Sequence, residues 1–304
     1  MAKKPNWIPL LGQFIVTDNE VEFDADTTVS QLNRQINPRD IFGLIKSDQY
    51  FENGTVSVKV YLESPECRAQ IVLNEQSTPA VYCGINVNEM VYGIATRVGS
   101  EYKNIRGSLY VNNLIAEKWI DLKVEVRGSN ISLFVDGVNV CSASLQISKN
   151  QVALFAGGPG KVKFKDFKCD SRKATAFVVM QFSDKFNELF KEVIRPTCER
   201  FGYETIRADD IYNCGQIIND IMEQIKESSL VVADISPDNP NVFYEVGFSH
   251  GVGTPTVLLC DKKARDHLPF DISGFRTVFY EDSIGGKSRI EDLLSKHLEN
   301  INKS

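Results

Sequence analysis

The stretch from residue 230 to 259, LVVADISPDNPNVFYEVGFSHGVGTPTVLL, limits the folds open to this chain more than any other part. Leu230, Val231, Val232 and Ala233 form an unbroken apolar run, and a second run begins at Thr256. Apolar runs without polar alternation suit parallel strands covered on both faces. Between them lie a polar loop, Asp234 to Asn239, and a marked helix start. Asn239 can cap free N–H groups, and Pro240 takes the first helical position, where its missing N–H costs nothing. Gly251 and Gly253 are expected to end the helix. The stretch is therefore predicted to be a β-loop-helix-β unit whose helix starts at the carboxyl end of a parallel strand, the edge where open α/β sheets bind ligands. Glu245 falls in the second helical turn, on a different face from Val242, Val246 and Ser249. Most isolated helix glutamates are solvated. The apolar company of Phe243, Tyr244, Val246, Gly247 and Phe248, together with the sheet edge, makes this one a candidate functional carboxylate.

Strand and helix patterns alternate from about residue 175 onward. Strand TAFVVMQF (175–182) leads to a helix with Phe186, Leu189, Phe190, Val193 and Ile194 on one stripe, ended by Gly202. YETIRADD (203–210) is a strand and its exit loop, followed by a helix carrying Ile217, Ile218, Ile221, Met222 and Ile225. After TVLLCD (256–261) come a strand, RTVFYED (276–282), and a last helix opened by a capping box of Ser288 and Glu291. Five strands alternating with helices predict a flavodoxin-like, doubly wound parallel sheet ordered 2-1-3-4-5. In that order a crevice opens above the carboxyl ends of strands one and three. The loops reaching it, 180–184, 207–212 and 234–245, supply Gln181, Phe182, Ser183, Arg207, Asp209, Asp234, Asn241 and Glu245. These suit a nucleotide: an aromatic to stack on a base, a cation near phosphate, and carboxylates for ribose hydroxyls or chemistry at the anomeric carbon. The competing uses are an ion pair between Arg207 and Asp209, and loop hydrogen bonds for Asp234. GxGxxG and GxxxxGK[ST] are both absent, which disfavours a Rossmann dehydrogenase or a P-loop enzyme.

The first 170 residues follow a different period. Val56, Val58, Val60 and Leu62 alternate with polar residues and Tyr61, and Leu122, Val124 and Val126 do the same. That is the mark of antiparallel strands with one face in a core. In NISLFVDGVNVCSASL, Asp136-Gly137 supplies a hairpin turn. Further strands are expected at 67–74, 80–86, 90–98, 107–112, 151–156 and 161–167, giving ten or more and a sandwich of two sheets. Trp119, Tyr92, Tyr102 and Tyr110 are aromatic enough for a sugar platform, although core packing is the commoner use. The polar stretch KCDSRKA (168–174) is taken as the linker, with a boundary near Arg172, an all-β domain over 1–170 and an α/β domain over 175–304.

Composition narrows the partners. The 304 residues carry a formal net charge of -6, and neither half is basic, which argues against nucleic acid. No apolar run approaches a membrane span, and the start, MAKKPNWIPLLGQF, lacks the features of a signal peptide, so a cytoplasmic protein without a membrane partner is expected. The seven cysteines form no CxxC pair and are read as reduced thiols. The three histidines, His250, His267 and His297, are not at ligand spacing, so no metal is expected. Cys214 and Cys260 have no histidine beside them in sequence, which argues against a thiol nucleophile.

Two resemblances sharpen these expectations. GTVSVKVYLE (54–63), KWIDLKVEVRGSNISLFVDGVNV (118–140) and QVALFAGGPGKVKFKDFKC (151–169) resemble concanavalin A-like, laminin G-like jelly rolls. That implies a domain binding sugars, proteins or lipids, here used as a sensor or for assembly. The glycosidase branch is disfavoured by the absence of an ExDxE strand. FVVMQFSDKFNELFKEVIRP, YETIRADD and residues 231–259 resemble the nucleoside 2-deoxyribosyltransferase-like and bacterial TIR-like superfamily. Its catalytic glutamate lies in an E-[LV]-G-[YF]-[AS] context, matched by Glu245, Val246, Gly247, Phe248 and Ser249. The resemblance implies cleavage of an N-glycosidic bond, with NAD as substrate rather than cofactor, and a TIR-like antiphage effector activated by self-association. Transfer of deoxyribose between bases is the alternative, as is a nucleotide-sensing module without turnover. The transferases carry an aspartate six positions before the glutamate, where this chain has Asn239. The resemblance therefore implies glycohydrolysis more than transfer.

Overall fold

The computed structural model describes residues 4–25, 37, 40–108, 116–210, 217–265, 268, 272–281 and 283–303. Tyr110, Cys214 and His267, singled out above, lie outside them, as do residues 211 and 212 of the 207–212 loop. By its contacts the chain divides into two compact units, one of Met1–Val126 with Ile131–Arg172, the other of Lys173–Ser304 with Arg127–Asn130.

The first unit is a jelly-roll-like β-sandwich. One seven-stranded antiparallel sheet runs, in spatial order, β1 (Trp7–Leu11), β4 (Phe42–Phe51), β13 (Asn150–Gly157), β6 (Arg68–Leu73), β7 (Ala80–Val87), β8 (Met90–Val98) and β9 (Glu101–Ser108). The other runs β12 (Val138–Ser144), β11 (Asn130–Val135), β10 (Trp119–Arg127), β5 (Asn53–Leu62), β14 (Lys161–Arg172), β3 (Glu20–Asp24) and β2 (Phe14–Val16). The period-two pattern decides which face goes inward. Val56 and Val58 pair with Val124 and Leu122 across β5 and β10, and all four are buried against Ile45, Ile71 and Leu154 of the facing sheet. Each such side chain contributes about 1.5–3 kcal/mol through its removal from water. At the β11–β12 turn, Asp136 and Gly137 both have positive φ, as a two-residue hairpin with right-handed strand twist requires.

Three expectations need correction here. The 168–174 stretch is not a linker: β14 continues through it, with Lys168 to Arg172 opposite Ser57 to Asn53 of β5, so only Lys173 and Ala174 separate the last strand of this unit from the next. Polar residues hold strand conformation there because their backbone groups are paired. The strand expected at 107–112 starts earlier, at Glu101, and pairs with β8 through Ser108, while 109–112 lie outside the described residues. The three described aromatics, Trp119, Tyr92 and Tyr102, do not form one platform. Trp119 belongs to one sheet, with the Lys165 ammonium 3.8 Å above its ring, while Tyr92 packs on the inter-sheet core and Tyr102 on a second cluster with Tyr82 and Phe155.

The second unit is a five-stranded parallel sheet with helices. Its order is β16 (Glu204–Arg207), β15 (Thr175–Val179), β17 (Leu230–Asp234), β18 (Thr256–Asp261) and β19 (Thr277–Tyr280), which is the expected 2-1-3-4-5. Both faces of β17 are covered, which explains its unbroken apolar run. The first helical stripe is buried, but its backbone is three pieces: α1 (Asp184–Leu189), a π-helical turn (Phe190–Ile194) and α2 (Arg195–Arg200). The π turn ends at Ile194, two residues before Pro196, whose ring nitrogen carries no backbone donor. α3 (Ile217–Glu227) follows β16, and α4 (Pro240–Val252) follows β17. Gly253, at φ 78°, ends α4, whereas Gly251 lies inside its last turn. The last helix, α5 (Ile284–Lys303), starts earlier than expected. Ser283 caps it by accepting from the Gly286 N–H at 3.1 Å, and Ser288 lies within the helix. Among the described residues, no helix is long and apolar enough to cross a membrane, and no cluster of three or more His, Cys, Asp or Glu is placed to hold a metal ion. The six described cysteines are free thiols.

Candidate functional site

A pocket of about 340 Å³ opens at the carboxyl ends of β15, β16 and β17 in the second unit. That is within the usual size of small-molecule sites, about 300–1,000 Å³. Gln181 and Phe182, just beyond β15, form one wall, and Asn241, Tyr244 and Glu245 of α4 form the other. Ala208, Ile218 and Ile221 close it from a third side.

The position of Glu245 follows from how α4 begins. Asn239 is extended and its side-chain oxygen accepts from the Asn241 N–H at 3.0 Å, so the helix starts as its sequence predicts. Val242, Val246 and Ser249 then point into the core, which turns Glu245 toward the pocket. Burial pushes its carboxyl up to about 7, and among the described residues no charge or hydrogen bond offsets that shift. A half-buried carboxylate without a partner, facing a largely apolar cavity, is suited to meeting positive charge on a ligand.

Of the other expected site residues, Gln181, Phe182 and Asn241 line the pocket with Glu245. Ser183, Arg207, Asp209 and Asp234 do not. Ser183 is the residue before α1, and its carbonyl accepts from the Asn187 N–H. Arg207 is only 5% exposed, and its guanidinium faces protein rather than a phosphate. Nε donates to Asp209 Oδ1 at 2.6 Å, Nη2 to the other Asp209 oxygen, and Nη1 to Asn187 Oδ1 at 2.9 Å. Hydrogen bonding from Arg207 holds the Asp209 carboxyl below its ordinary value against the opposing effect of burial. The ion-pair alternative for these two residues is the arrangement present.

Asp234 is fully buried. One carboxyl oxygen accepts from the Ser236 N–H at 2.9 Å and the other from the Tyr280 hydroxyl at 2.6 Å. Burial raises its carboxyl above the ordinary aspartate value, against the lowering effect of these two donors. The same network ties three strand ends together. Ser236 Oγ accepts from the Asp261 N–H at 2.7 Å, and Lys185 Nζ reaches Asp261 Oδ2 at 2.9 Å. Asp234 thus has both carboxyl oxygens bonded within the sheet edge and lies outside the pocket lining. Tyr280→Phe is expected to cost about 1–3 kcal/mol, because it leaves a buried carboxyl oxygen without its donor. The measurement is a lower urea midpoint at an unchanged m-value.

Sequence reasoning missed Tyr244 and Ile218 as pocket residues. Tyr244 is 59% exposed and Phe182 54%, an unusual exposure for two large aromatics lining one cavity. Tyr244 was legible only as a neighbour of Glu245. Ile218 was assigned to a core stripe, yet it is 44% exposed and lines the pocket together with the buried Ile221 of the same stripe. His250 stacks on Phe275 with ring centroids 3.9 Å apart, away from the residues of the pocket lining.

By sequence, the chain matches no protein-family model and no curated protein. Solved structures that it is similar to include the carbohydrate-binding module CBM66 from Bacillus subtilis, at 12% identity and a TM-score of 0.41, over 53% of this chain and 92% of that one. They also include LamAcat from Zobellia galactanivorans, at 12% identity and a TM-score of 0.33, over 51% of this chain and 78% of that one.

Proposed function

We propose that the α/β unit is a TIR-like N-glycosidase that cleaves the bond between base and ribose in a nucleotide, with NAD as the substrate and Glu245 as the catalytic carboxylate. The observation that carries this reading is the position of Glu245, unpaired among the described residues in a 340 Å³ pocket at the carboxyl edge of a parallel sheet. Nicotinamide in NAD is already a cationic leaving group, so its departure needs little acid assistance. The ribose that remains develops oxocarbenium character and must be stabilised. An ionised Glu245 facing the anomeric carbon supplies that stabilisation in a setting of low dielectric, where a fixed charge counts for more than in water. Gln181 and Asn241 offer hydrogen bonds at the pocket wall, and Phe182 and Tyr244 offer faces for a planar ring.

Hydrolysis is favoured over transfer between bases by the state of Asn239. It stands where the deoxyribosyltransferases place an aspartate, and its side-chain oxygen is committed to capping α4. Incubation of the pure protein with NAD and, separately, with deoxynucleosides, followed by chromatography for free base, tests the proposal. Nicotinamide release from NAD supports it. Base exchange on deoxynucleosides alone would replace it with transfer, and no free base from either would leave a binding module.

A further inference from the structure

We infer that Arg207 is a positioning residue of the pocket, acting through Phe182 rather than touching the ligand. Phe182 is a pocket wall with more than half its surface in water, so little of its surroundings restricts its ring. One face of that restriction is visible. The Arg207 guanidinium carbon lies 5.2 Å from the Phe182 ring centre, and 4.6 Å from that of Phe190. Phe190 is buried and opens the π-helical turn, so it is a fixed floor. Arg207 is fixed edgewise as well, since Asp209 takes its Nε and Nη2, Asn187 takes Nη1, and Met180 Sδ lies 3.9 Å from Nη1. The guanidinium is thus held rigidly at its edges, with its carbon over both a buried ring and an exposed one. Lysine could supply the same charge but neither the plane nor the two-point bond to Asp209. The π turn has a physical role here, because it places Phe190 under the guanidinium while α1 carries Asn187 to its edge.

The inference rests on the proposed N-glycosidase reading for its kinetic test, and on contact energetics for a second test that does not need turnover. The kinetic test compares Arg207→Lys, Phe182→Ala and the double variant with wild type, using NAD. A loosened aromatic wall weakens ring stacking, so each single variant is expected to raise KM about tenfold. The rate constant kcat should stay within about twofold, because Glu245 is untouched. The double variant should match Phe182→Ala alone. A further rise in KM when Arg207→Lys is added to Phe182→Ala would overturn the inference by showing that Arg207 meets the ligand itself. An unchanged KM in Arg207→Lys would also overturn it.

If Arg207→Lys does not fold, Asn187→Ala removes one of the bonds that hold the guanidinium and is read in the same way, with a smaller rise expected. If wild type cleaves neither NAD nor deoxynucleosides, the reaction proposed for the site fails, and a thermal-unfolding cycle over the same variants decides the Arg207 inference. Non-additive losses of Tm support the contact between Arg207 and Phe182, and additive losses reject it.

Discussion

Glu245→Gln is expected to lower nicotinamide release from NAD by at least about a hundredfold while the protein remains folded. Glutamine keeps the size and shape of the side chain but cannot become an anion. If catalysis depends on a negative charge facing the ribose, the loss falls on kcat, since the walls that hold the ring are unchanged. Turnover within a few-fold of wild type would remove Glu245 from the reaction. The same substitution should make the protein more stable above pH 7. The Glu245 carboxyl is raised by burial to about 7, so the folded state holds its proton more tightly than the unfolded chain does. Its favourable contribution is complete below about pH 4.5 and is lost as pH rises through about 7. Ionising it at pH 8 costs about 1–2 kcal/mol once solvent screening of its exposed part is taken into account. Glutamine avoids that cost, so its Tm should exceed that of wild type at pH 8 and match it near pH 4. A functional carboxylate held at the expense of stability is the usual trade at such a site.

The second large effect is on the pH dependence of cleavage. Only the ionised form of Glu245 can face the developing positive charge, and kcat/KM follows the free enzyme's groups. With the carboxyl at about 7, kcat/KM for NAD should rise about tenfold per pH unit below that value and level off above it. The expected gain from pH 5 to pH 8 is about a hundredfold. In the NAD complex the cationic nicotinamide favours the carboxylate, so the corresponding step in kcat should lie at lower pH. A profile that falls as pH rises through 7 would instead assign Glu245 the role of a proton donor. That result would fit a neutral base as leaving group and would point to a nucleoside rather than NAD. Steady-state rates across pH 5 to 9, with unfolding checked at each pH, distinguish these outcomes.

Much of the fold was legible in the sequence because its signals are local. The alternation of Val56, Val58 and Val60 decides the buried face of β5 wherever that strand pairs, and Asp136-Gly137 can adopt positive φ without help from the rest of the chain. Asn239 and Pro240 start α4 within a few residues of themselves, and the phase of that helix then turns Glu245 away from Val242 and Val246. Covered parallel strands leave an unbroken apolar run, as in β17. These features follow from backbone geometry and water exclusion, so the sequence by itself determined the two kinds of sheet, the order of elements and the candidate carboxylate.

Other features were decided by partners distant in sequence. Residues 168–172 look like a linker until β5 pairs with them, more than a hundred residues away along the chain. Asp234 looks like a ligand contact until Tyr280, 46 residues later, donates to it in the core. Arg207, at the end of β16, looks like a phosphate contact until Asn187 of α1 and Phe190 of the π turn meet its guanidinium. In each case the residue type states what the group can do, as donor, acceptor or charge. Tertiary structure decides which partner satisfies it first, because a buried polar group left unmatched costs more than a surface group gains.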